Sequence, residues 1–308
     1  MESICQLPDG LAIKATPEQV HIISDPEQGL NVLSRALLLP GDTVFVERPA
    51  SQRARAAFLA RHAKIIEMPM AKDGPDFRGL EALLKRQKPK LFYVMPNYQQ
   101  PLGICYSEES KHRLLEIAYS HGAYIIEEDQ QGDFFYNGER RTPLKALDYE
   151  GRVIYMKSFA RVLTPGIGVG FMVCPSRVPE IKPDISPPGY MQRVFDFFLR
   201  NGDFEAHAAN MRRAYGRRYH KLAAAVSAYL TPLADFKLTG GGLSLWVTPR
   251  GGRNSNDIAN KLLQRKVLVS PGCLFAADLP GFRISFAAVP EERIAEGIGV
   301  IASVLAGE

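Results

Sequence analysis

Five short segments carry side chains able to do chemistry. In YIIEEDQQGD, Glu128 and Asp129 are adjacent carboxylates, a pair suited to general acid–base work. In YMKSFARVL, Lys157 offers an ammonium, Ser158 a hydroxyl and Arg161 a guanidinium. A guanidinium stays protonated at physiological pH, so Arg161 can pair with an anion but has no free amine for an imine. In PNYQQPLG, Asn97 and Gln100 are carboxamides able to donate and accept. Ser24 adds a hydroxyl just ahead of Asp25 and Pro26, and Pro26 has no N–H to donate. Arg283, in FRISFA, presents the planar fork that suits a carboxylate.

The elements around these segments alternate. Apolar, strand-like runs cover residues 20–24, 43–47, 64–68, 90–95, 123–127, 152–157 and 170–174. Helical patterns lie between them, at 27–39, 54–62, 80–86 and 108–121, the last opened by Ser107 and stopped by Gly122. Alternation of this kind predicts an α/β fold with a mostly parallel sheet covered by helices on both faces. In such sheets ligands sit beyond the carboxyl ends of the strands, which singles out the loops after Ser24, Met95, Glu127 and Lys157. A proline-rich stretch at 182–189 reads as a connection, followed by one long helical stretch from about Tyr190 to Leu230. The remainder reads as a smaller α+β domain. The predicted division is a large domain over 1–185, a connecting helical region over 186–230 and a small domain over 231–308.

Composition excludes several classes. The 308 residues are 46% hydrophobic and 23% charged, which is enough apolar material for one large core or two modest ones. The net charge of +5 comes from 38 basic residues against 33 acidic ones. Arg212, Arg213, Arg217 and Arg218 do cluster, beside Tyr215 and Tyr219, and read as a solvated helix face. A nucleic-acid surface needs a larger one-sided field, so none is expected. No apolar stretch reaches membrane-spanning length and no signal peptide is evident. Four scattered cysteines, without metal-like spacing, read as small buried hydrophobes in a reducing compartment, the cytoplasm.

Taken in order, these segments resemble the class I/II aminotransferases of fold type I. The resemblance is strongest to the aminotransferase-like domain of MocR-type regulators and to aminoadipate-type aminotransferases. It rests on ATPEQVHIISDPEQGLNVLSRALLLPGDTVFVERP, YVMPNYQQPLG, YIIEEDQQGDFFYNG, VIYMKSFARVLTPGIGVGF, GGLSLWV and FRISFA. It implies an aspartate aminotransferase-like large domain with a seven-stranded sheet, pyridoxal 5′-phosphate as cofactor, and a homodimer or a heterodimer with an active homologue. It also implies an N-terminal arm, and in the MocR type a winged helix-turn-helix, neither of which is recognisable here.

The resemblance assigns roles to individual positions, and several are altered. Arg161 stands where the family has its Schiff-base lysine, and Gly168 where it has a phosphate-binding arginine. Asp25 and Pro26 replace small residues of the phosphate loop, and Ser51 replaces the ring-stacking aromatic. Glu128 takes the place of the aspartate that faces the ring nitrogen, with Asp129 beside it; Gln130 replaces a tyrosine, and Gln100 the asparagine at the ring oxygen. Ser24 and Ser158 remain as hydroxyls for a phosphate, Asn97 as a polar substrate contact and Arg283 as the α-carboxylate arginine.

The resulting expectation is an aminotransferase-like protein with a rebuilt cofactor site. It binds an amino acid or other carboxylate, and either catalyses a biosynthetic reaction without pyridoxal phosphate or is a homologue that does not transaminate. In a catalytic version, Arg161, Glu128 and Asp129 are the candidate groups, and an Arg161–Glu128 ion pair fills the vacated cofactor space. Lys157 reads as a surface lysine at a strand end. Two alternatives stay open: an active enzyme with a rearranged site that uses Lys157 or holds the cofactor non-covalently, and a regulatory or partner-subunit binding module.

Overall fold

The computed structural model describes residues 2–7, 9–178 and 187–307. The expected connection at 182–189 therefore falls mostly outside the described residues. The chain divides into two compact units. The first comprises Met1–Asn97, Ile104–Gln130 and Arg141–Ala208; the second comprises Tyr98–Gly103, Gln131–Arg140 and Ala209–Glu308.

In the first unit, strands β1 (Val20–Ile23), β2 (Thr43–Glu47) and β3 (Lys64–Met68) precede a short hairpin, β4 (Met70–Ala71) and β5 (Gly74–Pro75). Then come β6 (Leu91–Val94), β7 (Tyr124–Asp129), β8 (Val153–Ser158) and β9 (Gly170–Val173). Leaving out the hairpin, these make one seven-stranded sheet in the order β1-β9-β8-β7-β6-β2-β3. Pairs β8–β7, β7–β6, β6–β2 and β2–β3 are parallel, and only β9 runs against its neighbours. The mostly parallel sheet is thus as the alternation of elements predicts.

The helices of this unit are α1 (Glu2–Gln6), α2 (Pro26–Leu37), α3 (Gln52–Leu59), α4 (Phe77–Leu84), α5 (Glu108–His121) and α6 (Gly189–Arg200), with the start of α7 (Asp203–Tyr229). Leu30, Leu33, Ala54 and Phe58 from α2 and α3 share a core with Tyr93, Ile126, Ile154, Met156 and Met172, which all lie on one sheet face. Burial of this apolar area, worth roughly 25 cal/mol per Å², holds the helices to the sheet. Gly29 permits the approach: a Cβ there would lie 2.6 Å from the Met156 sulfur. The opposite face carries Glu127, whose carboxylate accepts N–H groups of Leu144 (2.8 Å) and Lys145 (2.7 Å) from a 3-10 turn. The α5 boundaries match those read from the sequence: Ser107 Oγ accepts the Ser110 N–H at 3.1 Å, and Gly122 is left-handed at φ 64°.

The predicted single helix from Tyr190 to Leu230 is two helices. Asn201 and Gly202 separate α6 from α7, with Gly202 at φ 73°. Gly202 takes a left-handed conformation that a helix interior does not use and that glycine adopts without penalty.

In the second unit, β10 (Ala234–Phe236), β11 (Ser244–Pro249), β12 (Ser270–Pro271) and β13 (Phe282–Ser285) form an antiparallel sheet in the order β10-β11-β13-β12. Helices α8 (Ser255–Gln264) and α9 (Ile294–Ala306) and the later part of α7 pack against it, around Leu222, Val226, Leu262, Phe282 and Ile298. No helix among the described residues is long and apolar enough to cross a membrane. Cys105 and Cys174 are buried as expected, but Cys273 is exposed, with its thiol donating to Asn256 Oδ1 at 2.8 Å.

Candidate functional site

In the first unit, the carboxyl ends of the parallel strands gather most of the residues singled out from sequence. Glu128 and Asp129 end β7, and Lys157 and Ser158 end β8. Strand pleat sends successive side chains to opposite faces. Asp129 is in register with Lys157, and Glu128 with Met156. Asp129 and Lys157 therefore share one face, while Glu128 and Ser158 point to the other, the face covered by α2 and α3.

Both carboxylates are buried, Glu128 being 2% and Asp129 3% exposed. Each oxygen of Glu128 accepts a hydrogen bond, Oε2 from the Tyr93 phenol and Oε1 from the Gln130 carboxamide. Burial, and next the Glu128 carboxylate, push the Tyr93 hydroxyl well above the usual tyrosine range, so it acts as a fixed donor. Asp129 Oδ2 accepts from the Tyr155 hydroxyl at 2.6 Å and lies 3.5 Å from Lys157 Nζ.

Two expectations are corrected here. Lys157 is not a surface lysine; it is 3% exposed and ion-paired to Asp129 inside the sheet. A buried ammonium needs a counter-charge, and the register of β7 and β8 supplies one. The Arg161–Glu128 pair does not form. Arg161 lies in a turn with its side chain exposed, where its hydration is kept, and Glu128 is held by Tyr93 and Gln130 instead.

The remaining first-unit residues are mostly engaged with their own loops. Asp25 is the N-cap of α2, its carboxylate accepting the Gln28 N–H at 2.8 Å. Ser24 donates its N–H (2.7 Å) and hydroxyl (3.0 Å) to Gln28 Oε1. Ser158 Oγ accepts from the Ala160 N–H at 3.3 Å. Asn97 is 3% exposed, with its carboxamide oxygen buried and unpartnered among the described residues.

In the second unit, Arg283 on β13 and Gln100 come together. Arg283 donates from Nη1 to Gln100 Oε1 at 2.9 Å and from Nη2 to Ser270 Oγ at 3.4 Å. Its guanidinium lies 5.1 Å from the centroid of the Phe275 ring, a cation–π contact. Trp246 meets Phe275 edge-on at 6.0 Å. Arg283 is thus a fork fixed by two neutral oxygens and an aromatic plane, which orients it for planar recognition of an acid.

The sequence reading missed Tyr93, Tyr155, Ser270 and Phe275. Alternation carried a signal for one of them: Tyr155 and Lys157 are two apart on β8, as Glu127 and Asp129 are on β7, so each pair shares a face. The 3-10 turn that brings Phe275 to Arg283 left no such pattern.

Residues 4–301 match the family model for aminotransferase class I and II. The chain belongs to that family. It is 28% identical to the 2-aminoadipate transaminase of Thermus thermophilus over 96% of this chain and 77% of that protein. It is 30% identical to the probable rhizopine catabolism regulatory protein MocR of Rhizobium meliloti, over 76% of this chain and 48% of the regulator. A solved kynurenine aminotransferase of Pyrococcus horikoshii superposes with a TM-score of 0.89 at 28% identity, covering 99% of this chain and 79% of that one. The family and fold expected from the motifs are therefore those found.

Class I/II membership implies pyridoxal phosphate, and the residues present do not fit it. The position that the resemblance assigns to the amine is a solvent-facing guanidinium, Arg161. The position that the resemblance assigns to the phosphate arginine is Gly168, at φ 52° and without a side chain. A helix N-terminus is a ready seat for a phosphate because its first N–H groups lack partners. Here Asp25 places its own carboxylate on that terminus, and Pro26 removes another donor.

Proposed function

We propose that this chain is a non-transaminating member of the class I/II aminotransferase family that binds an amino acid or a related carboxylate through Arg283. One observation carries the proposal. Arg161 offers no amine, and the nearby Lys157 is buried on the sheet face opposite Glu128, tied to Asp129. For Lys157 to serve as a Schiff-base lysine it would have to leave its ion pair, cross the sheet and deprotonate. Breaking a buried pair costs about 3–5 kcal/mol.

Arg283, fixed by Gln100, Ser270 and Phe275, supports retention of a carboxylate site. Any chemistry then falls to acid–base groups of the chain itself, with Glu128 and Asp129 as the candidates. The exposed side chains of Tyr190, Val194 and Phe197, on one face of α6, support a homodimer. A free, exposed Cys273 suits the reducing cytoplasm.

The test is spectroscopic. Purified protein with added pyridoxal phosphate is expected to give no aldimine absorbance and no borohydride-trapped lysine. A thermal-shift screen against amino acids and 2-oxo acids is expected to find a stabilising ligand whose effect disappears in Arg283→Ala. A trapped lysine adduct would overturn the non-transaminating reading; a full shift in Arg283→Ala would overturn the carboxylate assignment.

A further inference from the structure

The arginine cluster of α7 makes more than a solvated helix face. Within the second unit, Arg212, Arg213, Arg217 and His220 line a cleft of about 680 Å³, with Phe135 and Tyr136 as its aromatic wall. The guanidinium of Arg212 lies 5.0 Å from the Phe135 ring centroid, and that of Arg140 lies 5.8 Å from the same ring. Asp133 is the carboxylate beside them, 2.6 Å from Arg140 Nη2.

Arg212 itself makes no hydrogen bond or ion pair among the described residues. Burial, then the like charge of Arg140, hold its guanidinium below the usual arginine range, against the pull of Asp133. Among the described residues Arg213 bonds only the neutral Asn210 side chain. Arg217 is 3.1 Å from Glu291, which also faces Lys221 at 4.0 Å. Cations thus outnumber carboxylates at this cleft, and the half-buried Arg212 feels Asp133 without forming a direct ion pair among the described residues.

Gly216 is the second observation. It sits in the interior of the 27-residue α7, where glycine weakens a helix relative to alanine. Packing does not require it: a Cβ would lie 3.5 Å from Tyr136 Cδ1, an ordinary contact. What the missing side chain leaves is room in the cleft beside the Tyr136 ring. A surplus of guanidiniums over acids, an aromatic wall and a helix glycine not needed for packing together describe a receptor for a flat anion. A phosphate suits clustered guanidiniums, which bind its oxygens in bidentate pairs.

We infer that this cleft binds a phosphate monoester carried on a planar ring, such as a nucleoside monophosphate, at Arg212, Arg213 and Arg217. The inference does not depend on Arg283 or on the fate of pyridoxal phosphate.

Calorimetric titration of the full chain with AMP tests it, with inorganic phosphate and adenosine as separate arms. AMP is expected to bind, phosphate at least tenfold more weakly, and adenosine not measurably. Arg213→Gln and Arg217→Gln should each weaken AMP at least tenfold. Gly216→Ala should raise the melting temperature yet weaken AMP, a combination that a purely structural glycine would not give. The inference is overturned if AMP fails to bind at millimolar concentration or binds the arginine variants unchanged. It is overturned equally if phosphate alone binds as tightly as AMP, or if a single-stranded oligonucleotide binds far more tightly with the same arginine dependence.

Discussion

Replacing Lys157 tests the buried ion pair most directly. At 3.5 Å from Asp129 Oδ2, the attraction is about 5 kcal/mol at an effective dielectric near 20. In Lys157→Met the stem is kept and the charge is lost, leaving Asp129 buried with the Tyr155 hydroxyl, at 2.6 Å, still donating to it. Stranding a buried charge costs about 3–5 kcal/mol, and the retained hydroxyl puts the expected loss near the lower end. Unfolding entropy of about 2.1 cal/mol/K per residue over 308 residues converts roughly 3 kcal/mol to about 5 °C in Tm. Asp129→Asn should cost a similar amount. The double variant should then recover at least about 1.5 kcal/mol of the summed losses, the signature of coupled neighbours. Calorimetry or urea titration of the four proteins gives the cycle. Strict additivity, or a loss below about 1 kcal/mol in Lys157→Met, would refute the pair as the reason this lysine is buried.

Other expectations follow from the same geometry. Arg161→Lys alone should restore neither aldimine absorbance nor transamination, because Gly168 and the Asp25 cap remain; recovery by that one change would show the cap to be unimportant. Burial pushes Glu127 up to about 7, against the N–H groups of Lys145 and Leu144. The folded state then holds this proton more tightly than the unfolded chain does, so the contribution is complete below about pH 4.5 and is lost as pH rises through about 7. Urea titrations across pH 5–8 should show that decline, by up to about 3 kcal/mol, and Glu127→Gln should flatten it. Gly29→Ala should cost about 1–3 kcal/mol by forcing α2 off Met156, read as a lower Tm; an unchanged Tm would show that Met156 simply swings aside.

Much of this molecule could be read from its sequence because its signals are local. The Ser107 and Gly122 ends of α5 are side-chain and backbone preferences acting within a turn. The alternation of strand and helix patterns was enough for a mostly parallel sheet. What sequence did not reveal was pairing across strands. Lys157 reads as a surface residue until β8 is set in register with β7, and only then does Asp129 stand beside it. Arg161 reads as a partner for Glu128 because both lie at loop ends that converge in the family fold. The structure instead satisfies Glu128 from Tyr93, a residue on a different strand and far away in sequence. The break between α6 and α7 was written in Asn201 and Gly202, but a continuous apolar pattern on both sides masked it.

The Asp25 cap has a consequence for how such a protein persists in a cell. A chain that relies on an outside anion to complete a helix end is stabilised in proportion to ligand supply, by RT ln(1 + [L]/Kd). Here the Gln28 N–H is met by a carboxylate that is part of the chain. That share of the folding free energy is therefore independent of how much vitamin B6 the cell holds. On the proposed reading, depleting B6 should leave the level of this protein unchanged.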